Sequence, residues 1–61
     1  MNWYLGQRVK VIFGAFAGRY GTIVAQYKDT WSYIRVEVDG DVAHWFSPGE
    51  LAPVNHPTHI V

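Results

Sequence analysis

The sequence contains no cysteine, which excludes disulfide bonds and thiolate metal sites. It has no apolar run approaching the ~20 residues of a transmembrane helix. It also has no basic segment followed by an apolar one, so no signal peptide is expected. Together these absences favour a cytoplasmic location without membrane contact.

The chain has 61 residues, enough for one domain that buries only about 60% of its unfolded surface. Its aromatic content is high, with three tryptophans, four tyrosines and three phenylalanines. Each such ring can bury about 150–250 Å². The rings therefore form an unusually dense core, serve as exposed ligand contacts, or are covered by self-association, and the sequence leaves these three outcomes open.

The formal net charge is zero, but the charges are sorted along the chain. Residues 1–28 hold four basic and no acidic side chains, whereas residues 29–61 hold five acidic side chains and one basic one. This asymmetry gives either a basic face on a neutral protein or charge pairing between neighbouring strands. Both interpretations remain open at this point.

Alternating and β-branched residues predict five short strands and no helix. We expect strands at about 8–13, 20–27, 31–38, 41–46 and 51–54. Turns are predicted at 28–30 and 47–50, and Asp39-Gly40 matches a two-residue type I′ hairpin. Pro53 places the last strand at a sheet edge. The chain is therefore predicted to be an all-β protein, a small five-stranded barrel over 1–54 with a flexible tail at 55–61.

Three glycines divide the first predicted hairpin. Gly14 and Gly18 allow a tight loop, because glycine enters left-handed backbone conformations without steric penalty. Gly21 lies inside a strand, where glycine indicates a bulge or a close backbone approach.

The pattern Val9-x-Val11-x-x-Gly14-x-x-x-Gly18-x-x-Gly21-x-Ile23 resembles the KOW motif. The resemblance implies an SH3-like barrel that binds RNA, ribosomal proteins or RNA polymerase. Ribosomal members carry lysines through the loop, whereas Arg19 is the one cation here, so fewer phosphate contacts are expected.

A second resemblance is to the plasmid-borne, trimethoprim-insensitive dihydrofolate reductases, which are tetrameric SH3-like barrels using NADP. It is carried by Gly6-x-Arg8-Val9, Gly14-Ala15, Gly21-x-Ile23-Val24-x-x-Tyr27 and the later Tyr33 with Val36-Glu37. The pore segment of those enzymes corresponds to residues 43–46, which here read Ala-His-Trp-Phe. Only under this alternative would His44, Trp45 and Phe46 be catalytic, and the reductases' hydrogen-bond donors are not kept.

No residue pattern predicts a metal site, a nucleophile or a cofactor. His56-x-x-His59 has no third ligand of clear spacing, and zinc needs three or four. His44 is predicted to be a half-buried imidazole with a hydrogen-bond partner. Trp45 and Phe46 are expected to face opposite sides of a strand.

The sequence therefore favours a binding module over an enzyme. The predicted partner is RNA or DNA, or a protein of the transcription or translation machinery. The predicted nucleic-acid-binding residues are Arg8, Lys10, Phe16, Arg19, Tyr20 and Lys28. The predicted protein-binding residues are Trp31, Tyr33 and Trp45, and self-association is the remaining alternative.

Overall fold

The computed structural model describes residues 3–54, so the predicted tail at 55–61 and its two histidines lie outside the described residues. Five strands and one 3₁₀ turn make up the fold. They are β1 (Arg8–Val11), β2 (Tyr20–Tyr27), β3 (Thr30–Val38), β4 (Ala43–Phe46), the 3₁₀ turn (Pro48–Glu50) and β5 (Leu51–Pro53). In residues 3–54, no helix has the length and hydropathy needed to cross a membrane.

All strand pairs are antiparallel, and the sheet order is β4-β3-β2-β1-β5. The core takes side chains from every strand: Val9, Val11, Ile23, Ile34, Val36, Val38, Phe46 and Leu51. The two edge strands contribute Phe46 and Leu51 to one cluster, so the sheet curls around a shared interior. The predicted all-β, five-stranded fold is confirmed.

Strand alternation holds along most of β3, where Ile34, Val36 and Val38 are fully buried. The predicted strand ends are less accurate. The first strand ends at Val11, where the Gly18 N–H bonds to the Val11 carbonyl and the loop begins, and the Ile12 side chain beyond it is exposed. The fourth strand begins at Ala43 rather than at residue 41.

The glycines act as predicted. Gly14 and Gly18 have φ of 89° and 94°, and the Gly18 N–H closes the loop on the Val11 carbonyl at 2.8 Å. Gly21 lies directly against β3, since a Cβ there would be 2.6 Å from both the Glu37 carbonyl oxygen and Val36 Cγ1. Glycine is therefore required at position 21 by close approach, not by a left-handed backbone.

The type I′ assignment to Asp39-Gly40 is wrong. Gly40 has φ of 81°, but Asp39 is not among the described residues with positive φ. The Asp41 N–H bonds to the Val38 carbonyl, and these φ signs match a type II turn. The two-residue turn with both φ values positive is Lys28-Asp29, at 48° and 59°, between β2 and β3.

Two irregularities interrupt the β2–β3 pairing. Ile23 lies opposite Val36 and Ala25 opposite Arg35, which leaves Val24 as one extra residue in β2. Such a bulge reverses the side-chain alternation beyond it. Tyr27 would otherwise share the inward face of Ile23, and it is instead exposed.

The second irregularity lies in β3. Gln26 pairs with Ile34, whereas the next β2 residue, Tyr27, pairs with Thr30. Residues 31–33 are therefore extra on the β3 side. Alternation breaks there: Trp31 packs against the core, and Tyr33 is exposed.

Candidate functional site

Four of the chain's five lysine and arginine side chains lie within 6 Å of an aromatic ring centre. The pairs are Lys10–Tyr20 at 5.6 Å, Arg19–Phe16 at 5.9 Å, Lys28–Tyr27 at 5.2 Å and Arg35–Trp45 at 5.8 Å. In three of these pairs the ring belongs to an exposed residue, namely Tyr20, Tyr27 or Trp45. Three basic side chains therefore lie beside exposed aromatic rings on the protein surface.

Arg8 is the fifth cation, and its charge is paired. Its guanidinium donates to both carboxylate oxygens of Asp39, at 2.9 and 2.5 Å, and to Thr22 Oγ1 at 2.9 Å. The hydrogen bond from Arg8 lowers the pKa of Asp39, and the same bond raises the pKa of Arg8. Charge pairing between the two halves of the sequence thus occurs at Arg8, while Lys10, Lys28 and Arg35 form no ion pair within residues 3–54.

The Arg19–Phe16 pair differs from the other three. Phe16 packs against the core and is only partly exposed, with its ring 4.5 Å from the His44 ring and 6.1 Å from Phe46. Arg19 donates from Nη2 to the Asp39 carbonyl at 3.0 Å. The expectation that Phe16 is an exposed ring is therefore wrong, because its side chain packs against the core; its role in nucleic-acid binding stays a prediction.

Three exposed rings, Tyr27, Tyr33 and Trp45, surround a cleft of about 340 Å³. We call it the aromatic cleft. The Tyr33 and Trp45 rings stand nearly perpendicular to Tyr27, at 87° and 86°, with centroid distances of 6.2 and 6.0 Å. Lys28 and Arg35 lie beside two of these rings, so the cleft has apolar walls and two cations near it.

Local structure explains how the cleft is assembled. Arg35 and Trp45 are direct cross-strand partners in β3 and β4, so their side chains share the outer face. The Val24 bulge turns Tyr27 to the same face. The Lys28-Asp29 turn then places the Lys28 ammonium next to Tyr27.

The predicted nucleic-acid-binding residues fall into two groups. Arg8, Lys10 and Tyr20 lie on paired segments of β1 and β2, and Arg19 immediately precedes β2. Lys28 follows the other end of the eight-residue β2, which is about 23 Å away at ~3.3 Å per residue. Lys28 belongs with the aromatic cleft instead.

The predicted protein-binding residues are also divided. Tyr33 and Trp45 meet at the cleft, but Trp31 is half-buried against the core. Sequence reasoning missed Tyr27, since strand alternation from Ile23 predicts an inward side chain. It counted Arg35 among the cations but assigned it to no site, because the pairing of Arg35 with Trp45 depends on the register between β3 and β4.

The three residues assigned to catalysis under the reductase alternative lie in β4. Phe46 is buried in the core. His44 is half-buried, and its Nε2 has no hydrogen-bond partner among residues 3–54; Asp41 Oδ1 lies 3.7 Å away, beyond hydrogen-bonding distance. The predicted partner is therefore missing for this atom. The pKa of Asp41 is lowered, mainly because the Val42 N–H donates to its carboxylate and to a smaller extent because His44 lies nearby.

Residues 3–54 contain no group of three or more histidine, cysteine or acidic side chains arranged to hold a metal ion. What they offer is a curled five-stranded sheet with ring–cation pairs on its outer face. This arrangement suits binding through stacking and charge.

The family model of the KOW motif matches residues 5–42. The chain therefore belongs to the KOW-motif family, whose domains are typically found in transcription and translation factors and in ribosomal proteins. Comparisons with curated proteins and with solved structures give no match. The resemblance to the dihydrofolate reductases has no support.

Proposed function

We propose that this chain is a nucleic-acid-binding module that acts through its exposed cation–ring pairs. One observation carries the proposal: Lys10, Lys28 and Arg35 each stand beside an exposed tyrosine or tryptophan, with no ion pair within residues 3–54. Single-stranded nucleic acid is bound by this combination, in which bases stack on rings and cations contact phosphates.

The family supports the same proposal at a coarser level, because KOW domains generally associate with nucleic acid or with transcription and translation machinery. The charge distribution limits how tightly the protein can bind nucleic acid. With three available cations, counterion release predicts a salt slope of about −2 for single strands, at ~0.7 per phosphate contact. The protein is therefore expected to bind moderately and to lose affinity quickly as salt is added.

The first prediction concerns this salt dependence. Anisotropy of a labelled single-stranded RNA is measured between about 50 and 200 mM salt. Lys10→Gln and Lys28→Gln should each flatten the slope of log affinity against log salt by about 0.7, because each removes one phosphate contact. The double variant should show a slope of log affinity against log salt near that of a single phosphate contact.

The matched control is the double variant Arg8→Gln/Asp39→Asn. It removes a cation from the same sheet, but together with the carboxylate that neutralises it, so the net charge is unchanged. Its salt slope should equal that of the parent. Absence of RNA binding at low salt, or equal slopes in the lysine variants and the parent, contradicts the proposal.

A further inference from the structure

We infer that the aromatic cleft accepts one unpaired base, and that the domain therefore selects single-stranded over duplex nucleic acid. This inference rests on the proposed function and assigns the substrate class to one of its surfaces. It uses Tyr27, Tyr33 and Trp45 together, a set that forms only when the β2 bulge and the β3–β4 register are in place.

The shape of the cleft is the first argument. Tyr33 and Trp45 both meet Tyr27 at nearly right angles, so the three rings form walls around the space instead of stacking on one another. The volume of about 340 Å³ is lined by these three residues. A flat ring of the size of a base can enter it edgewise and stack on a wall, and each such contact contributes about 1–3 kcal/mol.

Base pairing decides which form of nucleic acid can place a base in the aromatic cleft. Bases in a duplex are covered on both faces by their neighbours, whereas unpaired bases can be splayed out and stacked on aromatic side chains. Reaching the cleft from a duplex requires a base to be unstacked and unpaired, at a cost of a few kcal/mol. The cleft therefore favours a strand that is already open.

Charge is the second argument. The Arg35 guanidinium and the Lys28 ammonium lie 5.8 and 5.2 Å from the Trp45 and Tyr27 ring centres. Two cations beside the rings repel an ammonium ligand, which aromatic cages otherwise bind. A neutral proline-rich peptide matches the rings but leaves both charges without partners. A nucleotide supplies a flat ring and an attached anion in one unit.

The test compares single-stranded RNA with a duplex of the same sequence, using the intact chain and the variant Trp45→Leu. The parent should prefer the single strand. The variant should lose about 5- to 150-fold in single-strand affinity, as expected from one lost stacking contact, with duplex affinity and salt slope unchanged because no charge is removed. Tyr33→Leu is a second variant with the same expected pattern.

Phe13→Leu is the matched control, because Phe13 is an exposed aromatic residue outside the cleft. It should leave both affinities unchanged. Equal binding of both RNA forms, with Trp45→Leu and Tyr33→Leu unaffected, overturns the inference while the proposed function stands. Loss of binding to an acidic proline-rich peptide in Trp45→Leu, with RNA affinity intact, also overturns it. If no RNA form binds to any variant, the proposed function itself fails.

Discussion

At the scale of single residues, Gly21 is the position where the backbone leaves least room. Its Cα faces the β3 backbone so closely that an added Cβ would lie 2.6 Å from the Glu37 carbonyl oxygen and 2.6 Å from Val36 Cγ1. One neighbour is main chain and the other is fully buried. Neither can move without displacing part of the core.

Gly21→Ala should therefore destabilise the protein by about 1–3 kcal/mol, the usual range for overpacking. Thermal unfolding should show a lower Tm, by about 4–8 °C per kcal/mol in a domain of this size. Gly49→Ala is the control, since a Cβ there meets nothing within 4 Å. Its Tm should stay close to that of the parent; equal losses in the two variants would contradict the close-approach explanation.

At the scale of secondary-structure elements, the β2–β3 hairpin carries local strain. Lys28 and Asp29 both have positive φ, at 48° and 59°, although left-handed conformations cost L-residues about 1–2 kcal/mol each. A type I′ turn needs this geometry because its twist matches that of the flanking strands. Asparagine and glycine are the residues that usually occupy such a turn.

Asp29→Gly should accordingly stabilise the chain by about 0.5–1 kcal/mol, because relief of left-handed strain exceeds the added chain entropy. Urea unfolding gives the measurement. Ser32→Gly is the control in the same hairpin; Ser32 is exposed and its φ is not positive, so glycine there should destabilise by about 0.5–1 kcal/mol. A loss of stability in Asp29→Gly would argue against strain at this turn.

Sequence patterns predicted the strands better than the turns. β2 has the predicted bounds because its β-branched residues and flanking turn residues are local signals. The type of the Asp39-Gly40 turn was assigned wrongly because Asp-Gly fits both type I′ and type II geometry. Lys28-Asp29 carries no such signature, and only the pairing of Tyr27 with Thr30 requires its conformation.

At the scale of the whole molecule, stability depends on joining the two edge strands through one core. Phe46 from β4 and Leu51 from β5 belong to the same buried cluster as the central strands. A 61-residue domain has a total stability of only about 3–9 kcal/mol. Large side chains at the edges are therefore a substantial part of what keeps the sheet curled.

Phe46→Ala is expected to cost about 3–5 kcal/mol, as for other buried phenylalanines, and to leave much of the protein unfolded. Circular dichroism in a urea titration measures this loss. Phe13→Ala serves as the control because Phe13 is 69% exposed, and its effect should stay within about 0.5 kcal/mol. Similar losses in both variants would contradict the assignment of Phe46 to the core.

The candidate site could be predicted only in part. Lys10, Tyr20 and Trp45 lie on the surface, as strand alternation indicates. Phe16 and Trp31 do not, because a small core recruits rings from a loop and from an irregular part of β3. Tyr27 escaped prediction because its orientation depends on a bulge that arises from strand pairing and has no local sequence signal.

The Val24 bulge has an evolutionary consequence. Loss of this one codon would remove the extra residue and leave Ala25 opposite Arg35 and Gln26 opposite Ile34, so Tyr27 would keep its outward side chain. A lineage could thus gain or lose the codon through a three-nucleotide insertion or deletion and still keep the cleft. When KOW domains are compared, the spacing between the third motif glycine and the next hairpin turn can then differ by one residue while the outward rings stay in register.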